Sequence, residues 1–163
     1  FEVPYTTLQV GKIEGGIAVN IVPSSSSLLF EIRRKILRNN SSYKDCQFEG
    51  DNKNSSVHIG AFINDVIIGG VSLLKNKSIH KDLKNCYQLR GMCVLKNFQN
   101  LGIGIKLLNE AERYCSDLGV NNIWMNARKN AAVFYLKSNY IDLGIRYEIK
   151  GIGQHHFLYK KLK

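Results

Sequence analysis

The sequence predicts an α+β fold in which a mixed, mostly antiparallel sheet is flanked by helices. Three observations carry that expectation. β-like runs at 57–63 and 66–74 flank only Asn64-Asp65, a two-residue separation that joins antiparallel strands. Between 86 and 118 the order changes to strand, glycine turn and helix, with apolar residues at helical spacing from 105 to 118. A length of 163 residues, 44% of them apolar, supports a single domain, 1–163, with a proper core and is short for two.

Taken in order, runs at 5–13 and 17–22 with Glu14-Gly15-Gly16 between them suggest a hairpin, making residues 1–22 an N-terminal hairpin extension. Ser24 to Ser27 offer N-cap hydroxyls for a helix running to about Leu37, with Leu29, Ile32 and Ile36 on one face. Arg33, Arg34 and Arg38 project elsewhere and are expected to form a solvated basic face. Residues 39–56, rich in Asn and Ser, read as an irregular connection, and 75–84 as a second, basic one. His58, in the first run of the central hairpin, is expected to be structural. The strand over 86–94 delivers the chain to the glycine turn. The next helix carries Ile105, Leu108, Ala111, Cys115 and Leu118 on one stripe and ends at Gly119. A short strand over 120–126, a helix over 129–137 closed by Ser138-Asn139, and antiparallel runs at 141–149 and 155–162 complete the chain.

Composition narrows the partners. The formal net charge is +10, with 11 Lys/Arg against 8 Asp/Glu in residues 1–85 and 12 against 5 in residues 86–163. Such an excess favours an anionic partner, whether nucleotide cofactor, nucleic acid or membrane surface, and charge by itself does not choose. No apolar run approaches the roughly 18 residues that cross a bilayer, so no membrane is expected. Phe1-Glu2-Val3-Pro4 shows no basic n-region and no apolar h-region, so a cytoplasmic location is expected, and the missing Met leaves the natural N-terminus open. Cys46, Cys86, Cys93 and Cys115 form no Cys-x-x-Cys and are expected as free thiols. Glycosylation-type triplets at Asn39, Asn40, Asn54 and Asn76 are what an Asn- and Ser-rich chain produces by chance.

The turn Gln99-Asn100-Leu101-Gly102-Ile103-Gly104 is the candidate anion site. Glycine admits positive φ and close approach of a ligand, and a helix start presents unpaired N–H groups at the positive end of its dipole. Gly-x-Gly alone is weak, since Gly151-Ile152-Gly153 repeats it in a chain with 14 glycines. A second pattern raises its weight: one helix and one strand after Gln99-x-x-Gly102-x-Gly104 come Ala131, Phe134-Tyr135 and Asn139-Tyr140. On these two motifs, residues 57–162 resemble the GNAT superfamily of acyl-CoA N-acyltransferases. Its signatures are Arg/Gln-x-x-Gly-x-Gly/Ala after a strand, then a short helix with Ala and, four residues on, Tyr before Gly-Phe. The chain departs from it in Gln99 for the commoner Arg, Arg128 where many members have Asn, and Asn139-Tyr140 for Gly-Phe.

The resemblance implies a GNAT-like sheet splayed at a cofactor cleft, acetyl-CoA as acyl donor, and a small-molecule or peptide primary amine that attacks directly in a ternary complex. It puts the pyrophosphate on backbone N–H groups of Gln99, Asn100, Leu101, Gly102, Ile103 and Gly104, and the pantetheine arm along Met92, Cys93 and Val94. Arg128, Ala131 and Phe134 are further implied cofactor contacts, and Tyr135 is the implied acid for the departing thiolate. An amine with pKa about 10.4 is mostly protonated at neutral pH, so a base or water path must take its proton. Many members place a Glu on or near the strand before the turn; 86–94 holds none, which leaves His155 as the candidate base. His156 would face the other side of the strand, so the pair makes no metal site, and no metal is expected.

Lack of an obvious base motivates one alternative, a non-catalytic acyl-CoA-binding module whose basic surface binds a partner such as nucleic acid. No interleaved aromatic or known binding motif supports nucleic acid directly. A dinucleotide-binding dehydrogenase fits less well, because Leu107 stands at the third glycine position and no acid occurs near Trp124. No Gly-Lys-Ser/Thr is present for a P-loop. The acceptor is not legible, and a homodimer is left open.

Overall fold

Antiparallel pairing begins at the start of the computed structural model, which describes residues 9–12, 18–38, 40 and 42–162. Strands β1 (Gln9–Lys12) and β2 (Ala18–Pro23) pair through Gln9↔Ile21 and Lys12↔Ala18, as the expected N-terminal hairpin requires. Its turn and residues 1–8 lie outside the described residues. The chain divides into two compact units, each discontinuous in sequence: residues 1–74 with 91–114, and residues 75–90 with 115–163.

In the first unit β2 pairs with β3 (Val57–Ile63), and β3 with β4 (Val66–Leu74). The β3–β4 turn has no glycine because Asn64 and Asp65 themselves take left-handed conformations, φ +46° and +67°. Asn and Asp tolerate that region better than other L-residues. Helix α1 (Ser26–Leu37) starts after an extended Ser25, whose hydroxyl pairs with that of Ser27 at 3.0 Å instead of capping the helix. Its apolar face packs Leu29 and Ile32 with Cys93, joined by Ile36, Ile67 and Leu95.

One expectation fails on α1. Arg33 is not on a solvated face; it is fully buried. Nη1 donates to the Asp51 carboxylate at 2.7 Å and to the Cys46 carbonyl at 2.8 Å, and Nη2 donates to Ser72 Oγ at 2.8 Å. The Phe48 ring lies 3.9 Å from the guanidinium carbon. A buried charge is tolerable only when paired and hydrogen-bonded in this way. The network continues to His58, whose Nδ1 sits 2.6 Å from Ser72 Oγ and whose Nε2 sits 2.8 Å from the Asp51 carbonyl. A carbonyl can only accept, so Nε2 carries the proton and Nδ1 receives the serine hydroxyl. Burial, the largest cause, lowers the pKa of His58 and keeps the ring neutral. His58 is structural, as expected. The 39–56 connection, expected to be irregular, holds a short 3₁₀ turn at Tyr43–Cys46 and is tied to α1, β3 and β4 by this network.

In the second unit the opening residues of β5 (Cys86–Val94) pair in parallel with β6 (Asn122–Arg128). Helix α2 (Ile103–Asp117), whose residues up to Tyr114 belong to the first unit, closes at Gly119, φ +76°, with the Val120 N–H on the Cys115 carbonyl at 2.8 Å. The strand expected over 120–126 starts at 122 instead, because Val120 serves that cap and the Asn121 N–H is drawn to the Asn85 carbonyl. The helix expected over 129–137 is a 3₁₀ turn, Lys129–Ala131, followed by α3 (Ala132–Leu136) and a left-handed Asn139 at φ +70°. β7 (Ile141–Ile149) pairs antiparallel with β8 (Gly153–Lys161), and β8 with β6. Cys86, Trp124 and Phe157 centre the core, with Leu83, Ile145 and Tyr159 against them. All four cysteines are free and buried. No helix among the described residues is long and apolar enough to cross a membrane.

Candidate functional site

The anion turn belongs to the first unit. β5 reaches it through Gly91, φ +68°, where a Cβ would come within 2.8 Å of Phe48 and 3.4 Å of Arg33 Nε. A side chain there would meet both the left-handed penalty and that crowding. Met92, Cys93 and Val94 follow, with only Cys93 fully buried, and the Leu95 N–H bonds the Ile68 carbonyl at 2.8 Å. The Gln99 side chain reaches back, Nε2 donating to the Val94 carbonyl at 2.9 Å. This explains why glutamine serves in place of arginine: it ties the turn to the end of the strand.

The left-handed residues of the turn are Asn100, φ +62°, and Gly102, φ +84°. Gly104, one of the two glycines that drew attention in the sequence, is already inside α2. The first helical bond joins the Lys106 N–H to the Gly102 carbonyl at 3.2 Å, which leaves the N–H groups of Ile103, Gly104 and Ile105 outside the helical ladder. Gln99, Asn100 and Gly102 are exposed, and a Cβ built on Gly102 would meet nothing within 4 Å. Open backbone donors at a helix start suit a phosphate group, so the turn fits the pyrophosphate of an acyl-CoA.

The remaining sequence-derived residues lie in the second unit. Tyr135 on α3 is 5% exposed, set edge-on against Phe134 at 5.0 Å and Tyr140 at 5.8 Å. Its carbonyl receives the N–H groups of Ser138 and Tyr140 at 2.9 and 3.2 Å, closing the helix. Ala131 and Phe134 are half-buried beside it. His155 is 4% exposed and stands opposite Arg128 on β6 and Tyr147 on β7. Its Nδ1 is 2.8 Å from the Gly153 carbonyl, which can only accept, so Nδ1 donates there and Nε2 is the ring nitrogen left for another partner. His156 lies on the opposite face against Arg146, its pKa lowered chiefly by burial. No group of His, Cys, Asp and Glu that could hold a metal occurs among the described residues.

Sequence reasoning missed Asn126 and Tyr147, each with a buried polar atom that has no hydrogen-bond partner among the described residues. The available signal was local: Asn126 interrupts the apolar strand Ile123-Trp124-Met125. Burial pushes the Tyr147 phenol up to about 12, so it stays a neutral donor.

A strand, a turn with open backbone N–H groups and a helix on an α+β framework form an arrangement that suits a phosphate at the helix start. Comparison makes the class specific: the model of the acetyltransferase (GNAT) family matches residues 27–140, and the chain belongs to that family. It is 32% identical over 134 residues to the uncharacterized N-acetyltransferase YitI of Bacillus subtilis (strain 168), covering 82% of this chain and 90% of that one. Among solved structures, an aminoglycoside 6'-N-acetyltransferase complexed with coenzyme A superposes with TM-score 0.71 at 14% identity over 88% of this chain and 97% of that one. A GNAT-family acetyltransferase from Staphylococcus aureus Mu50 gives 0.66 at 23% identity over 90% and 100%. The α+β fold is therefore the GNAT fold. A peptidase dimerisation domain model also matches residues 1–46, less than a third of the chain.

Proposed function

We propose that the chain acts as one acyltransferase domain that moves an acetyl group from acetyl-CoA to a primary amine by direct attack. The observation that carries this reading is the helix start at Ile103, whose unpaired N–H groups stand open behind left-handed Asn100 and Gly102. Backbone N–H groups of residues 99–104 hold the pyrophosphate, and the backbone of Met92, Cys93 and Val94 offers hydrogen bonds to the pantetheine arm. Arg128, Ala131 and Phe134 complete the cofactor contacts. The donor supplies an activated acyl thioester. Nε2 of His155 takes a proton from the amine, directly or through water, so that nitrogen can form the new C–N bond. The hydroxyl of Tyr135 gives its proton to the sulfur as the C–S bond breaks, and a backbone N–H beside Cys93 stabilises the carbonyl oxygen between the two events.

Thermal unfolding with added ligands tests the cradle. Coenzyme A should raise the midpoint in a concentration-dependent way, while pantetheine, which lacks the pyrophosphate, should have a much smaller effect. Equal shifts from the two compounds would remove the turn from cofactor binding.

A further inference from the structure

Gly91 stands inside a strand at φ +68°, and being a glycine does not by itself account for that value. Glycine populates left-handed and extended conformations about equally, so it permits the irregularity in β5 without imposing it. Packing has to make the selection. A left-handed residue within a strand interrupts its alternation, as in a bulge, and re-aims the peptide groups that follow. Those groups belong to Met92, Cys93 and Val94.

This end of β5 is held from both faces of the first unit. A side chain on Gly70 would meet Leu29 of α1, and one on Gly69 would meet Leu107 of α2. Adjacent strand residues point opposite ways, so α1 and α2 cover opposite faces. On the α2 face Gly69 lets β4 close on β5, since a Cβ there would stand 3.1 Å from the Cys93 carbonyl oxygen. On the α1 face the Phe48 ring fills the space of a side chain at 91, 2.8 Å from the position of its Cβ. Phe48 is itself fixed through backbone and ring. Its N–H donates to the Asp51 carboxylate at 2.8 Å, its carbonyl accepts the Asp51 N–H at 3.0 Å, and its ring lies 3.9 Å from the guanidinium carbon of fully buried Arg33. Arg33 Nε, which has no hydrogen-bond partner among the described residues, also faces Gly91, 3.4 Å from the same Cβ position.

We propose that Phe48 is a positioning residue for the cofactor: its ring, set by the Arg33–Asp51 pair, selects the left-handed form of Gly91 and thereby aims the backbone of Met92, Cys93 and Val94 at the pantetheine arm. The inference rests on the acyltransferase reading, which gives those backbone groups that role, and adds what holds them in place. A smaller or more pliant side chain at 48 leaves room on the α1 face and frees Gly91 to become extended, which turns the following N–H and C=O groups away. The anion turn keeps its geometry, because Gln99 ties it to Val94 and its left-handed residues lie beyond Phe48's reach in sequence and contact.

ADP and dephospho-coenzyme A form the matched pair that tests this, since they share adenosine and pyrophosphate and differ by the pantetheine arm. Calorimetric titration of both, well below the lowest thermal midpoint, reads the arm's contribution as the ratio of two dissociation constants, without any turnover. In the wild type dephospho-coenzyme A should bind the tighter. Phe48→Leu should cut that advantage by roughly ten-fold or more, the cost of misplacing one or two backbone hydrogen bonds, and leave ADP affinity unchanged. Phe48→Met repeats the measurement where the leucine variant does not fold. Phe62→Leu controls for a general loss of packing: Phe62 is a buried phenylalanine of the same unit that covers Gly60 on β3, so its variant should lower the midpoint and keep the advantage. The proposal is overturned if the ratio is unchanged in the Phe48 variants, or if Phe62→Leu erodes it equally. A wild type that binds neither ligand, or both alike, removes the acyltransferase reading as well, which tells the two failures apart.

Discussion

Tyr135→Phe is expected to lower kcat by about 10²–10⁴-fold, the range over which a positioned general acid acts, with coenzyme A affinity nearly unchanged. The substitution is chemically narrow. The Tyr135 ring is packed edge-on between Phe134 and Tyr140, and the backbone carbonyl, which is untouched, closes α3. Phenylalanine keeps that packing and deletes only the hydroxyl proton that the departing thiolate would receive. Steady-state kcat and an independent coenzyme A titration on the same variant separate catalysis from binding. An unchanged kcat would make Tyr135 a core aromatic and nothing more.

Asp51→Ala should be the most destabilising of simple substitutions, at about 3–5 kcal/mol, because it strands a charge that has no exposure to water. Arg33 would lose its carboxylate partner, and the Phe48 N–H would lose its acceptor at 2.8 Å. In a domain of this length, each kcal/mol moves the thermal midpoint by roughly 2–4 °C. Arg33→Met alone should cost a similar amount by stranding Asp51. The double variant Arg33→Met/Asp51→Leu should lie closer to the wild type than either single variant, since an apolar pair needs no compensation. Thermal midpoints of the four proteins, measured in one buffer, give the coupling directly. Additive losses would show that the two side chains act independently.

The strands and helices were legible wherever local chemistry decides structure. Asn64-Asp65 marked a hairpin because both residues tolerate positive φ, and Asn139 marked the end of α3 for the same reason. Family membership was legible because two motifs stood at a fixed separation, although the glycine emphasis was partly misplaced: Asn100 bends the turn and Gly104 does not. What sequence could not show was pairing at a distance. Arg33 on α1 looks like any helical arginine until Asp51 and Ser72, 18 and 39 residues away, are brought to it. Asn126 and Tyr147 likewise become notable only when strand register puts them on one face with no partner for either polar atom among the described residues.

Release of free thiol from acetyl-CoA on addition of amines is the most direct measurement of acetyl transfer by this chain. The expected result is release above the hydrolytic background that depends on the amine, saturates with its concentration, and is strongly reduced in Tyr135→Phe. Tight coenzyme A binding with no amine-dependent release, across anion-bearing amines, simple amines, polyamines and peptide N-termini, would contradict acetyl transfer and leave a module that binds acyl-CoA without catalysis.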